Sequence, residues 1–405
     1  MATGSPVIDF PPLPAFKGVP GWEFTDLSGL DLDAYGTPPQ GDPAAIERVT
    51  ELFAGLGAGV RLTQVDGTGL RTDAELPDGV IVEPLEVAAR EHAALVNEHL
   101  GAVVVGEEAI VARNSALYQG GAFVYVPRGV HVEQPIALSA IQDAAGTALH
   151  WRVLVVVEEG AQAEVWEQYL SGSPEQDGLF NTVVELVVGD GANLRFVSGQ
   201  ALSEKTWILG AHRAKVGRDA TLDWVALGFG TTRGRVAMET QLAGEGSTGK
   251  VTGAYATRGR QHLDYDTLQE HAAPNTVSDL AFRGVLGGRS TSVWRGMIRV
   301  DPGAQKTDAF QESRNLLLSA RAHADAIPGL EIEANDVRCT HAAAIAQIDP
   351  EQLFYLRARG IPDAQARRLV IEGFLEALVE RFEEGPVRDV LAAALERRLA
   401  VVLGG

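Results

Sequence analysis

The sequence holds one cysteine, Cys339, in 405 residues. A single thiol rules out an intramolecular disulfide, and a four-thiolate iron–sulfur cage cannot come from this chain alone. Positive charge is also scarce: 34 Lys and Arg stand against 54 Asp and Glu, for a formal charge of −20. So acidic a chain repels phosphate backbones and anionic headgroups, and no basic run offers a local exception, so neither nucleic acid nor a membrane is expected as a partner. No stretch approaches the roughly 20 apolar residues of a membrane span, and Met1 to Pro20 lacks the basic and apolar segments of a secretory leader. A cytoplasmic protein is expected. His-Glu-x-x-His, paired Cys-x-x-Cys and Gly-x-Ser-x-Gly are absent too, which removes the usual metalloprotease, zinc-ribbon and hydrolase signals.

What is plentiful is apolar side chain, 45% of the whole, together with 45 glycines, so a large core interrupted by many turns is expected. Residues 1–101 read as an irregular arm, with a docked Trp22-Glu-Phe-Thr-Asp-Leu27 segment, followed by a helical region that includes Pro84 to Leu100. Over 102–348 the pattern changes to short β-branched runs such as Trp151-Arg-Val-Leu-Val-Val-Val157, each closed by Gly, Asp or Asn. A turn signature recurs at Glu159-Gly160-Ala161, Asp190-Gly191-Ala192, Arg218-Asp219-Ala220, Glu245-Gly246-Ser247, Gly288-Arg289-Ser290 and Pro302-Gly303-Ala304. The separations are near multiples of about 14 positions, as in a β-solenoid whose coils bury their apolar faces on one another; a β-sandwich is the alternative. Residues 349–405 read as helices, opened by Asp349-Pro350, Pro362-Asp363 and Gly385-Pro386. Two apolar stripes are expected there: Leu369, Val370, Phe374, Leu378 and Phe382, then Val387, Val390, Leu391, Ala394 and Leu399.

Four groups of residues invite a chemical reading. Gly244-Glu-Gly-Ser-Thr-Gly249-Lys250 has the look of a phosphate-binding loop, but no Ser or Thr follows the lysine and Val251 onward reads as strand, so a solenoid turn is expected. His92 and His99 share a face if Pro84 to Leu100 is one helix, and the flanking glutamates favour a solvated surface there. His262, Asp264 and Asp266 alternate, so in a strand all three point one way, a geometry compatible with a metal or with a polar surface. Cys339 and His341 likewise share a face of an extended segment, where a thiolate and an imidazole can meet one metal or one partner.

Around that last pair stand Arg314-Asn-Leu-Leu-Leu-Ser319, Pro328-Gly-Leu-Glu-Ile332, Asn335-Asp-Val-Arg-Cys-Thr-His341 and Gln352-Leu-Phe-Tyr-Leu-Arg-Ala-Arg-Gly360, with His271-Ala-Ala-Pro274-Asn-Thr276-Val-Ser278 upstream. This ordered string resembles the C-terminal half of the SufB/SufD family. It runs from about Gly253 to Phe374 and reaches back to Tyr118-Gln-Gly-Gly-Ala-Phe-Val-Tyr-Val-Pro127. The resemblance implies a mainly β fold, a right-handed parallel β-helix flanked by helical regions, and a scaffold of the SUF iron–sulfur assembly system that is not itself an enzyme. It further implies no permanent cofactor, only transient iron or a nascent cluster. The implied partners are a SufC-like ABC ATPase on the C-terminal helices and a SufB subunit on the β-helix, with a homodimer as a further expectation. By position His341 is the counterpart of the SufD histidine, with Cys339 beside it; where the family commonly reads Cys-Ser-His-Gly-Ala-Thr, this chain has Cys339-Thr-His341-Ala342-Ala343-Ala344. The compact chain, its single cysteine and the Trp22 to Leu27 segment favour the SufD branch over the SufB branch. A β-helix polysaccharide lyase or hydrolase is the remaining alternative, with His262, Asp264 and Asp266 as its groove.

Overall fold

The computed structural model describes residues 10–14, 19, 21–72, 75–105 and 108–404, so most of the Met1 to Pro20 opening lies outside the described residues. Its strands alternate between two sheets. Asn193–Ala201 pairs in parallel with Thr221–Gly228, while the strand between them, Lys205–Val216, pairs with Asp177–Val188 and Arg233–Leu242. One coil therefore takes two strands and two turns, and repetition builds a ten-stranded sheet facing a nine-stranded one. This is the expected parallel β-solenoid. A sandwich would pair sequence neighbours antiparallel, and among the described residues the antiparallel strand pairs lie near the first end, Val60–Val65 with Thr68–Arg71 and Ile81–Pro84 with Gly120–Val126.

The turns show why the signature repeats. Gly160 sits at φ +67° and donates its N–H to Asp190 O of the next coil at 2.8 Å, while Ala161 is fully buried in the corner. Gly191 bonds Arg218 O in the same way, Asp219 bonds Glu245 O, and Gly246 bonds Pro274 O. A side chain larger than Ala or Ser would overfill the corner, and the left-handed backbone selects Gly or, at Asp219, a residue that tolerates it. Gly288-Arg289-Ser290 lies on the opposite edge, between Val277–Leu286 and Thr291–Val300, which accounts for its half-coil offset.

Alternate strand residues face the lumen, where Trp151, Phe180, Phe196, Trp224, Tyr255, Phe282 and Trp294 are all fully buried. Each such side chain contributes about 1.5–3 kcal/mol of burial free energy. The two ends of the chain cover the outer faces. Trp22, Leu27, Leu30 and Ile110 of helix Ala109–Leu117 lie on Ala148, Leu179 and Leu209 of the nine-stranded sheet. On the ten-stranded sheet, Leu52, Phe53 and the helices Pro350–Ala358, Asp363–Val379 and Pro386–Leu403 join one cluster with Val225, Ala254, Ala281 and Val285.

Two details differ from the sequence reading. Val60–Val65 is already a parallel neighbour of Ile136–Gln142, so the sheets reach into the region read as arm and helix, because Val60, Leu62 and Gln64 alternate inward. The helix expected from Pro84 to Leu100 is two, Leu85–Glu91 and Ala93–His99, broken at His92 with φ −124° and ψ 37°. The C-terminal helix signals act as read: Asp349 Oδ1 accepts from Glu351 N at 2.8 Å with Pro350 in the first turn, and Pro386 opens the last helix.

Candidate functional site

The last coil is left open. Arg338–Gln347 and His323–Ile332 are the terminal strands of the two sheets, each paired on one side only. Cys339 and His341 lie two apart on the first of these, in register with Ala309 and Gln311, both buried. Cys339 is half-buried among Ile298, Val300, Ala304, Ala309 and Ala334, and its thiol is free. Burial, helped by the nearby Asp308 carboxylate, pushes that thiol up, so the protonated form prevails near neutral pH unless a metal binds. His341 is exposed. The strand runs on unbroken through Ala342, Ala343 and Ala344, so replacing the family's glycine leaves the path after His341 regular. Below the histidine, Gln311 spans the lumen and its Nε2 donates to Gly296 O and Gly329 O, both at 3.1 Å.

Apolar side chains flank this polar pair on the open end. Leu330, Ile332 and Ile345 are 37%, 42% and 45% exposed. An uncovered parallel edge with free N–H and C=O groups is a template for another chain, and only Pro328 on the other edge strand removes a donor. Sequence reading passes over this feature, because an edge is defined by what does not pair with it.

His262, Asp264 and Asp266 do share one face of the strand His262–His271, but apart from Asp264 Oδ1, which is buried without a partner, that face is engaged by the rest of the molecule. Thr25 Oγ1 donates its only proton to Asp264 Oδ2 at 2.6 Å, so it accepts from His262 Nε2–H at 3.0 Å. His262 Nδ1 then accepts from Thr291 Oγ1 at 2.7 Å, and burial holds the ring neutral, at about 4. Arg235 reaches Asp264 at 3.2 Å and Asp266 at 2.7 Å, Arg295 reaches Asp266 at 3.4 Å, and Trp22 stacks on Arg235 at 4.3 Å. The three residues thus dock the Trp22 to Leu27 segment onto the sheet. Among the described residues no group of three or more His, Cys, Asp or Glu is arranged to hold a metal.

The other candidates also acquire structural tasks. Lys250 lies in the strand Thr248–Thr257 with no helix behind it, and its Nζ donates to Arg381 O at 2.6 Å with the Phe382 ring 5.1 Å away. It pins the turn between the last two helices to the solenoid. His92 is the junction between two helices, so it and His99 do not stand on one continuous helix face. In the His271 to Ser278 string, His271 is buried, with Nδ1 2.7 Å from Thr276 Oγ1 and Nε2 2.9 Å from Ser278 Oγ, and so braces a corner.

The first helical stripe divides. Leu378 and Phe382 are buried with Ile371 and Leu375, whereas Leu369 is 43% exposed and, with Val370, Phe374 and Tyr355, lines an open apolar groove of about 830 Å³ against Leu316 and Ile348. The second stripe is internal: Val390, Leu391, Ala394 and Leu399 are buried.

Two family models match the chain. The family described as "SUF system FeS cluster assembly, SufBD core domain" matches residues 140–374, and the "SufBD protein N-terminal region" matches 67–138. The chain belongs to the SufBD family. The iron–sulfur cluster assembly protein SufD of Bacillus subtilis (strain 168) is 36% identical over 330 residues, covering 80% of this chain and 75% of that one. A SufBD family protein of Mycobacterium tuberculosis is 31% identical over 383 residues, 93% of this chain and 92% of its own. SufB of the same Bacillus is 28% identical over 302 residues, 74% of this chain and 64% of its own, so within the SufBD family this chain is more similar to SufD. That membership sets aside the polysaccharide lyase alternative. Among the described residues no helix is long and apolar enough to cross a membrane.

Proposed function

We propose that this SufBD protein is a SufD-type scaffold, a non-catalytic cytoplasmic subunit that handles a nascent iron–sulfur cluster as cargo beside a SufB-type subunit and a SufC-like ABC ATPase. The observation that carries the reading is the open last coil, where exposed His341 stands on an unpaired strand edge among exposed apolar residues. An imidazole is a ligand for iron, while the half-buried Cys339 thiol becomes one only on losing its proton. With one cysteine in the chain, the remaining cluster ligands come from the partner that covers the edge.

The C-terminal groove around Tyr355, Leu369 and Phe374 suits the ATPase. Its helices are tied to the ten-stranded sheet: Arg381 donates to Thr252 Oγ1 at 3.0 Å and to Asp279 O at 3.2 Å, and Arg398 donates to Ala256 O at 2.8 Å. Movement of a bound ATPase would therefore reach the solenoid through rigid contacts. A second copy of the chain on the open edge, a homodimer, is the reading for the isolated subunit.

The test compares purified complexes in equal amount, loaded with iron and sulfide under anaerobic conditions. His341→Ala should lower the rate of cluster formation at least tenfold with subunit composition unchanged, and Cys339→Ser should lower it less. A His341→Ala complex that matures its cluster at the normal rate removes His341 from the proposal.

A further inference from the structure

The lumen of the solenoid holds a polar group that cluster handling at the open end leaves unused. Glu167, on Gln162–Ser171, is fully buried. Trp151 Nε1 donates to one carboxylate oxygen at 2.6 Å and the Tyr169 hydroxyl to the other at 2.7 Å. With its proton committed to Glu167, Tyr169 accepts from Thr182 Oγ1 at 3.0 Å. Burial raises the Glu167 carboxyl to about 7, against the pull of its two donors.

Tyr169 is also one wall of a small cavity of about 20 Å³ between the sheets, with Ser198, Gln200, His212, Met238 and Tyr265 among the others. His212 is 4% exposed, and neither of its ring nitrogens has a hydrogen-bond partner. Its ring lies nearly parallel to Trp224, centroids 6.5 Å apart, and burial keeps it neutral, at about 3. A neutral imidazole presents one N–H and one lone pair, and native interiors seldom leave both unmet. The backbone is bare where these polar groups converge. A Cβ on Gly210 would come within 3.2 Å of His212 Nε2, and one on Gly228 within 2.4 Å of the Tyr265 hydroxyl.

Size and lining decide what such a space holds. A water needs about 10–15 Å³ and two to four polar partners, whereas a cavity walled only by hydrocarbon stays dry. This one has the volume, and its walls carry an imidazole and two phenols, while the Ser198 hydroxyl and the Gln200 amide in the same lining already bond Val225 O and Gly230. We propose that the cavity is a hydration site, occupied by one water that is hydrogen-bonded to His212 and extends the Glu167–Tyr169–Thr182 chain across the lumen.

The test uses the full-length protein. Crystals grown in water should show an ordered water within hydrogen-bonding distance of His212, and oxygen-17 relaxation dispersion in solution should count one fewer long-lived water in His212→Phe than in the parent. Ala226→Val narrows the same cavity without touching the imidazole and should lose the same water, which keeps the test valid if His212→Phe does not fold. Xenon bound in the cavity of pressurised crystals, or electron density empty of water beside an unchanged solution count, would overturn the proposal.

Discussion

Near its first end the solenoid is sealed: Thr68–Arg71 folds back antiparallel on Val60–Val65, Ile81–Pro84 does so on Gly120–Val126, and the helices Leu85–Glu91 and Ala93–His99 pack alongside through Leu85, Ala88 and Val96. At its last end no strand or helix among the described residues folds back over the coil, and Arg338–Gln347 and His323–Ile332 are the outermost strands. The sealed side is reinforced by polar contacts as well. Glu185 accepts from the N–H groups of Gly101, Val103 and Val104 and pairs with Arg152 at 2.5 Å, every oxygen buried and bonded. A stack of coils has to be capped at both ends, since each coil covers only its neighbour. One capped end and one bare end fit the proposal that the second cap is another chain, and His341 and Cys339, the proposed cluster ligands, lie on the bare one.

The largest expected effect separates the interior from that open end. Burial holds His150, His262 and His271 each at about 4 and His212 at about 3. In the unfolded chain these rings take up protons at about 6.5, so between pH 6.5 and 4 the unfolded state binds more protons and stability falls as pH falls. At pH 5 each buried histidine should cost about 2 kcal/mol relative to pH 7. Urea midpoints measured across that range should drop steeply, and a flat profile would contradict neutral, buried rings.

Next comes Arg152→Met, which strands Glu185 with its charge buried; about 3–5 kcal/mol of stability should be lost, read as a fall in Tm, while the open edge still binds its partner. Lys250→Met removes one hydrogen bond and one cation–π contact from the C-terminal helices, for about 1–2 kcal/mol by thermal melt, with cluster assembly in the intact complex unchanged. A large assembly defect in folded Lys250→Met would restore the phosphate-loop reading. Smallest in stability, within about 0.5 kcal/mol, is the pair Ile332→Asp with Ile345→Lys on the open end. These exposed positions should melt normally yet lose co-purification with the SufB-type partner, and retention of that partner would mean that the edge is not the interface.

Much of this architecture is written locally. The corner residues Gly160, Gly191 and Asp219 each require a left-handed backbone, and a small residue follows each, so the coil repeat is visible without any structure. Asp349-Pro350 and Gly385-Pro386 mark helix starts for equally local reasons, a capping carboxylate and a ring that needs no N–H donor. Alternation also places His262, Asp264 and Asp266 on one face, and Cys339 and His341 on another.

What those faces meet was decided only by tertiary structure. Thr25 is 237 positions from His262, and Arg235 and Arg295 come from the coils on either side, so nothing near His262 in sequence reveals that its lone pair and its proton are both taken. The apolar spacing of Asp363–Val379 likewise fits a wholly internal stripe, until packing buries Ile371 and Leu375 and leaves Leu369 facing a groove. The same holds for the bare edge beside His341. Secondary structure follows from backbone sterics and side-chain period, which are properties of neighbouring residues, whereas exposure and hydrogen-bond satisfaction depend on which distant coil, if any, comes to lie alongside.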